Sequence, residues 1–159
     1  MKYIKIFENF DRVKLNFDDS GSGYFDKAEL VPISELIKFR EFDRRKSFKW
    51  NEEYSTNAIE QAKREFLEKG ITDILIINYS QSDKKVLLVE GNHRLIAAME
   101  LGLKYLPARV YRSKSPINNK NAMKVSGYPE DRYGYVPGDL KPSQVGIQGC
   151  KPITENIYE

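Results

Sequence analysis

The chain has 159 residues and a formal net charge of +3, with 40% apolar, 12% aromatic and 31% charged residues. That length suits one domain, or one domain with an arm, and is long enough to bury a core without covalent staples; the composition excludes a fibrous, collagen-like or wholly disordered chain. A single cysteine, Cys150, and a single histidine, His93, exclude an internal disulfide framework and a structural zinc site, which needs about four N or S ligands.

No stretch approaches the roughly 18 apolar residues of a membrane helix. Residues 1–10 alternate apolar and polar side chains and lack the apolar run of a signal peptide, so a cytoplasmic protein without membrane contact is expected. Charge is unevenly spread. Residues 38–49 hold Lys38, Arg40, Arg44, Arg45, Lys46 and Lys49 against Glu41 and Asp43, and residues 112–124 hold four bases and no acid. Each segment suits either a solvated loop or a surface that meets phosphate.

In chain order, residues 1–17 read as two short strands and Asp18–Gly23 as a turn. Glu29–Ile33 reads as an edge strand, because Pro32 has no N–H for a ladder. Ser34 is the expected cap of a short helix through Leu36 and Ile37. The basic stretch follows, with Phe48 and Trp50 suited either to stacking on bases or to closing a core edge. Residues 51–69 form the clearest helix. Asn51 is its expected cap, Tyr54, Ala58, Ile59, Ala62, Phe66 and Leu67 recur at helical spacing, and Gly70 stops it.

Asp73–Tyr79 reads as a buried strand, Ser80–Lys85 as a polar connection and Val86–Val89 as a second strand. Glu90–Arg94 is a sharp link into a helix that carries Leu95, Ile96, Ala98, Met99 and Leu101 and ends at Gly102. Tyr105–Tyr111 reads as a last short strand. Beyond Arg112 periodicity fades, turn pairs accumulate, and a tyrosine- and proline-rich run spans residues 127–138. This region is expected to be an irregular arm, packed across the domain or held out for a partner.

The link Gly91-Asn92-His93-Arg94 carries the strongest chemical signal. A helix start exposes N–H groups without acceptors and the positive end of the helix dipole. Glycine lets backbone approach a ligand, and an arginine fork matches phosphate oxygens. Together they make an anion site, for which phosphate is the usual ligand. The same residues equally serve as a tight turn, a capping histidine and a surface charge. His93 titrates near neutrality and suits acid–base work or a bond to a phosphate oxygen. Glu90 would hold a hydrated Mg²⁺ beside phosphates, or simply complement the helix dipole.

The order of elements over residues 29–111 resembles the ParB/sulfiredoxin superfamily. The resemblance rests on Val31-Pro32-Ile33-Ser34-Glu35-Leu36, the basic stretch, a helix ending Glu68-Lys69-Gly70, the strand pair, Gly91-Asn92-His93-Arg94, and Gly102-Leu103-Lys104-Tyr105-Leu106-Pro107-Ala108-Arg109-Val110. It implies that Gly91, Asn92, His93 and Arg94 cradle the phosphates of ATP or another nucleotide. Sulfiredoxins carry a reactive cysteine where this chain has Asn92, so sulfinic acid repair by that route is not expected. Partition proteins carry Glu-Arg-Arg after the glycine, so a CTP clamp is not expected either. Glu90-Gly91-Asn92-His93-Arg94 is most similar to the free-serine kinase and ParB-like nuclease branches. In those kinases a glutamate near the opening strand is the base, and Glu35 is its nearest counterpart by position. Arg44, Arg45 and Lys46 lie where the family's loop approaches ligand or DNA.

The expected fold is α/β or α+β: a small mixed sheet with two main helices over residues 1–112 and an irregular C-terminal extension over 113–159. The leading function is a nucleotide-binding enzyme that uses Mg²⁺ and a nucleotide such as ATP to hydrolyse or transfer a phosphoryl group. Glu90, His93 and Glu35 are its candidate catalytic residues. One alternative is a DNA-binding protein or nuclease that uses the same turn with Arg44, Arg45 and Lys46. The other is a non-catalytic module that binds a protein partner through the C-terminal arm.

Overall fold

A computed structural model describes residues 13–17, 26–41, 52–129, 139–154 and 157–159. The expected strands before residue 13, the loop 18–23, Arg44, Arg45, Lys46, Phe48, Trp50 and Asn51 lie outside these residues, as do the side chain of Tyr54 and positions 130–138 of the tyrosine-rich run.

The elements are β1 (Glu29–Pro32), α1 (Ile33–Leu36), a 3-10 turn (Ile37–Phe39), α2 (Glu52–Lys69), β2 (Leu75–Ser80), β3 (Lys85–Glu90), α3 (Asn92–Glu100), β4 (Tyr105–Ser113), β5 (Met123–Lys124) and a second 3-10 turn (Pro142–Val145). The strands form one five-stranded sheet in the order β1-β4-β2-β3-β5. β2 and β4 are parallel, and the other pairs are antiparallel. The sheet is therefore mixed, as expected, and the architecture is of the mixed α/β class.

Strand alternation sets the core. Leu75, Ile77 and Tyr79 of β2, Val86 and Leu88 of β3, and Ala108 and Val110 of β4 are buried in one cluster with Ile59, Ala62 and Phe66 of α2 and Leu95, Ala97 and Ala98 of α3. The intervening strand positions include the more exposed Val89 and Tyr111.

Gly70 stops α2 at a φ of +80°, with its N–H donating to the Phe66 carbonyl at 3.0 Å. The segment around Asn16 clamps this end: Asn16 Nδ2 donates to the Lys69 carbonyl, and the Asn16 N–H donates to that of Ile71.

Several boundaries differ from the sequence reading. Ser34 is not the cap of α1, because Pro32 occupies that position and no side chain caps the helix; the Ile33 N–H donates instead to the Lys104 carbonyl. β3 runs through Glu90, so Glu90 is a strand residue and the helix begins at Asn92. The segment 105–111 extends to Ser113 and lies inside the sheet between β1 and β2. Pro107 is tolerated there for a specific reason. It faces Leu30, whose N–H and C=O both pair with Lys151, so the Leu30–Pro107 pair exchanges no ladder bonds. On its other side β2 begins only opposite Ala108.

The described part of residues 113–159 is built into the same core. Leu140, Val145, Ile147 and Ile157 are buried in the common cluster. Leu140 bridges Val110, and Lys151 bridges Leu30. The Ile157 carbonyl accepts the N–H groups of Lys104 and Tyr105 at 2.9 and 3.1 Å. Among the described residues, no helix is long and apolar enough to cross a membrane.

Candidate functional site

The turn from β3 into α3 is where the predicted chemistry assembles. Gly91 adopts φ 108° and ψ 16° at the N-cap position, a left-handed conformation that glycine takes without cost. A Cβ there would stand 2.5 Å from Cγ of the buried Leu75. The turn therefore needs glycine on both conformational and steric grounds. The Gly91 carbonyl accepts the first helical bond from the Leu95 N–H at 2.9 Å. No side chain caps α3, and the first N–H groups of a helix have no acceptor within it.

Asn92 is buried, and its amide is committed to the backbone. Nδ2 donates to the Leu88 carbonyl at 3.1 Å, and Oδ1 accepts from the Glu41 N–H at 3.2 Å. Expected as a phosphate ligand, its side chain instead acts as a staple between β3 and the start of the basic stretch. The Glu41 carbonyl is held in turn by Asn121 Nδ2 at 3.3 Å. Arg40, one residue earlier, bridges Leu88 on the edge of β3. The fold thus fixes residues 40 and 41 beside the turn.

Burial, and then the positive charge of Arg40, hold the His93 imidazole below its ordinary value of 6.5. Burial raises the Glu41 carboxyl above its ordinary 4.5. Arg94 Nη1 is shielded from solvent and has no hydrogen-bond partner, and Arg94 makes no ion pair among the described residues. Such a donor normally finds a partner, because leaving a buried polar group unpaired costs about 1–3 kcal/mol. Glu90 is exposed at the end of β3.

Glu35 lies on α1. It pairs with Lys38 Nζ at 2.9 Å. Together with Glu29 its charge adds to the burial that pushes the Cys150 thiol up to about 12. Glu90, Gly91, Asn92, His93 and Arg94 are together at the turn, Glu35 pairs with Lys38 on α1 and the 3-10 turn that follows it, and Arg44, Arg45 and Lys46 are outside the described residues. Arg40 was not singled out by the sequence reading. Its only signal there was membership of a basic run, because what selects it is a non-local bridge to Leu88.

A lowered imidazole pKa has a defined consequence for stability. Below 6.5 the unfolded chain takes up a proton at His93 that the folded chain resists, so stability falls as the pH drops through this window. Thermal melts between pH 7.5 and 5 should show a steeper decline for the wild type than for His93→Gln. Equal slopes would place the imidazole in a solvated setting.

Among the described residues no group of three or more His, Cys, Asp or Glu side chains is arranged to hold a metal ion. A nucleotide-borne Mg²⁺ asks less, since one or two carboxylates with phosphates and waters suffice, and the exposed Glu90 fits that need. No protein-family model matches this chain, and no solved structure matches it with statistical significance.

Proposed function

We propose that the chain binds the phosphates of a nucleotide at the turn from β3 into α3 and hydrolyses the nucleotide or transfers a phosphoryl group from it, in the manner of the ParB/sulfiredoxin superfamily that residues 29–111 resemble. The observation that supports this reading most directly is the shielded, partnerless Nη1 of Arg94 beside a helix start that no side chain caps. A phosphate there would receive the Arg94 fork and the backbone N–H groups of the first turn.

Each residue has a distinct part. Gly91 keeps the approach to the backbone clear. Asn92 fixes the turn against β3 and Glu41. His93, held neutral at pH 7 by its lowered pKa, accepts or returns a proton, or bonds a phosphate oxygen. Glu90 would hold Mg²⁺, which supplies charge neutralisation on the phosphates when bound.

The test is a thermal-shift series with ATP, ADP, CTP, GTP and a short DNA duplex, with and without Mg²⁺, on wild type and Arg94→Ala. A ligand at about 100 times its Kd adds roughly 2.7 kcal/mol, which for a chain of this size is about 5–11 °C. The expected result is a shift with one nucleotide that Arg94→Ala abolishes. Stabilisation by DNA alone, with a steep loss in salt, would replace this reading with a nucleic-acid-binding one.

A further inference from the structure

We infer that the face of the sheet turned away from the common core, around Lys85, Lys124 and Tyr111, is a binding surface for single-stranded nucleic acid. The inference is independent of the phosphate-binding reading of the turn, because Lys85 and the turn stand at opposite ends of β3.

Strand registers place these side chains on one face. Leu75, Ile77 and Tyr79 of β2 belong to the core cluster, so the alternating Asn78 and Ser80 belong to the other face. Asn78 is opposite Tyr111 of β4, and Ser80 is opposite both Ser113 of β4 and Lys85 of β3. Lys85 is in turn opposite Lys124 of β5. A row Ser113–Ser80–Lys85–Lys124 therefore crosses the sheet, with Tyr111 one row away. Strand spacing and rise put the Cα atoms of Tyr111 and Lys85 roughly 12 Å apart.

Two lysines directly opposite each other repel. Among the described residues neither makes an ion pair, and the stretch 112–124 that leads into β5 holds four bases and no acid. Asp83 is the only acid among residues 80–89. Its Oδ2 accepts the Ile117 N–H at 3.1 Å, which ties the loop after β4 to the turn before Lys85. Lysines on an edge strand also keep strands of other molecules from pairing. That accounts for Lys124 but not for Lys85, whose strand is covered by β5 at this position. A polyanion relieves the repulsion of both. Tyr111 selects among polyanions. It is 55% exposed, the most exposed large apolar side chain of the described residues. An open aromatic ring on the same face as lysines suits a strand whose bases are free to stack while its phosphates meet the cations. Duplex bases are already stacked on one another and offer only phosphates.

The experiment is fluorescence anisotropy with a labelled oligothymidylate of about twelve residues, a duplex of the same length, and polyglutamate, at low salt and across a salt series. It uses wild type, the double variant Lys85→Gln/Lys124→Gln, Tyr111→Ala and Arg94→Ala. Wild type should bind the single strand more tightly than either other probe. The double lysine variant should lose about tenfold or more at low salt and flatten the salt slope by about 1.4. Tyr111→Ala should lose about fivefold to a hundredfold on the single strand and little on the duplex. Arg94→Ala should bind the single strand as wild type does.

Lys85, Lys124 and Tyr111 are all partly or wholly exposed, so these variants should keep the wild-type melting midpoint, and lost binding then reads contact rather than unfolding. Single-strand affinity unchanged in the double lysine variant or in Tyr111→Ala would overturn the inference. So would a wild type that binds no oligonucleotide, or that binds the duplex or polyglutamate as tightly as the single strand. Binding lost in Arg94→Ala alone would move the strand to the turn from β3 into α3, overturning this inference and leaving the phosphate-binding reading intact.

Discussion

A chain ending at residue 138 is expected not to fold. The cut removes Leu140, Val145, Ile147 and Ile157 from the common core. Truncating a single buried Leu or Ile to alanine costs about 2–5 kcal/mol. Four such losses are on the order of 10 kcal/mol, comparable with the whole stability of an ordinary domain, about 5–15 kcal/mol. Backbone pairing is lost as well. The Val110 N–H and C=O lose Leu140, those of Leu30 lose Lys151, and the N–H groups of Lys104 and Tyr105 lose the Ile157 carbonyl. β4 would then expose the stretch that β1 does not cover.

Circular dichroism with a thermal or urea melt on residues 1–138 against the full chain checks this. The expected result is no cooperative transition for the shorter chain. A cooperative transition at a similar midpoint would show that the core closes without the C-terminal segment, which would then be free to meet a partner. A milder version is Ile157→Ala, expected to lower stability by about 2–5 kcal/mol while leaving a two-state transition.

This segment also shows where reading the sequence stops. α2 is legible because Ile59, Ala62 and Phe66 repeat at helical spacing and Gly70 closes the pattern. The strands β2 and β3 are legible as apolar runs with a polar connection. Leu140, Val145, Ile147 and Ile157 are not, because each is an isolated apolar residue in a turn or an irregular stretch. Their partners, such as Val110 for Leu140 and Tyr105 for Ile157, lie far away in the chain, and no local period records such pairings.

The candidate site divides in the same way. Gly91 and Arg94 stand out locally, since a glycine between an apolar strand and a helix signals a tight turn and an arginine at a helix start signals an anion. The roles of Asn92 and Arg40 come from tertiary contacts, one with Glu41 and the other with Leu88. Asn92 therefore reads as a ligand in the sequence and becomes a staple in the fold. Glu35 reads as a base from its place after the opening strand, and in the fold its carboxylate pairs with Lys38.

The second large effect is expected at Gly91. Gly91→Ala should destabilise the fold by about 2–6 kcal/mol, from two separable sources. A non-glycine residue at φ 108° carries backbone strain of about 1–3 kcal/mol. The new methyl would also stand 2.5, 3.1 and 3.4 Å from Cγ, Cδ2 and Cδ1 of Leu75. Leu75 is buried at the start of β2, opposite Ala108 of β4, so it has little room to withdraw, and overpacking of this kind costs about 1–3 kcal/mol. Melting should drop by about 4–24 °C for a chain of this size. A double-mutant cycle separates the sources. In a Leu75→Ala background the clash is gone, so adding Gly91→Ala should cost only the strain. An undiminished cost there would rule out the contact with Leu75. A negligible cost in both backgrounds would mean that the turn can relax its left-handed glycine, and that the approach to the backbone of α3 is not held open by the packing of β2.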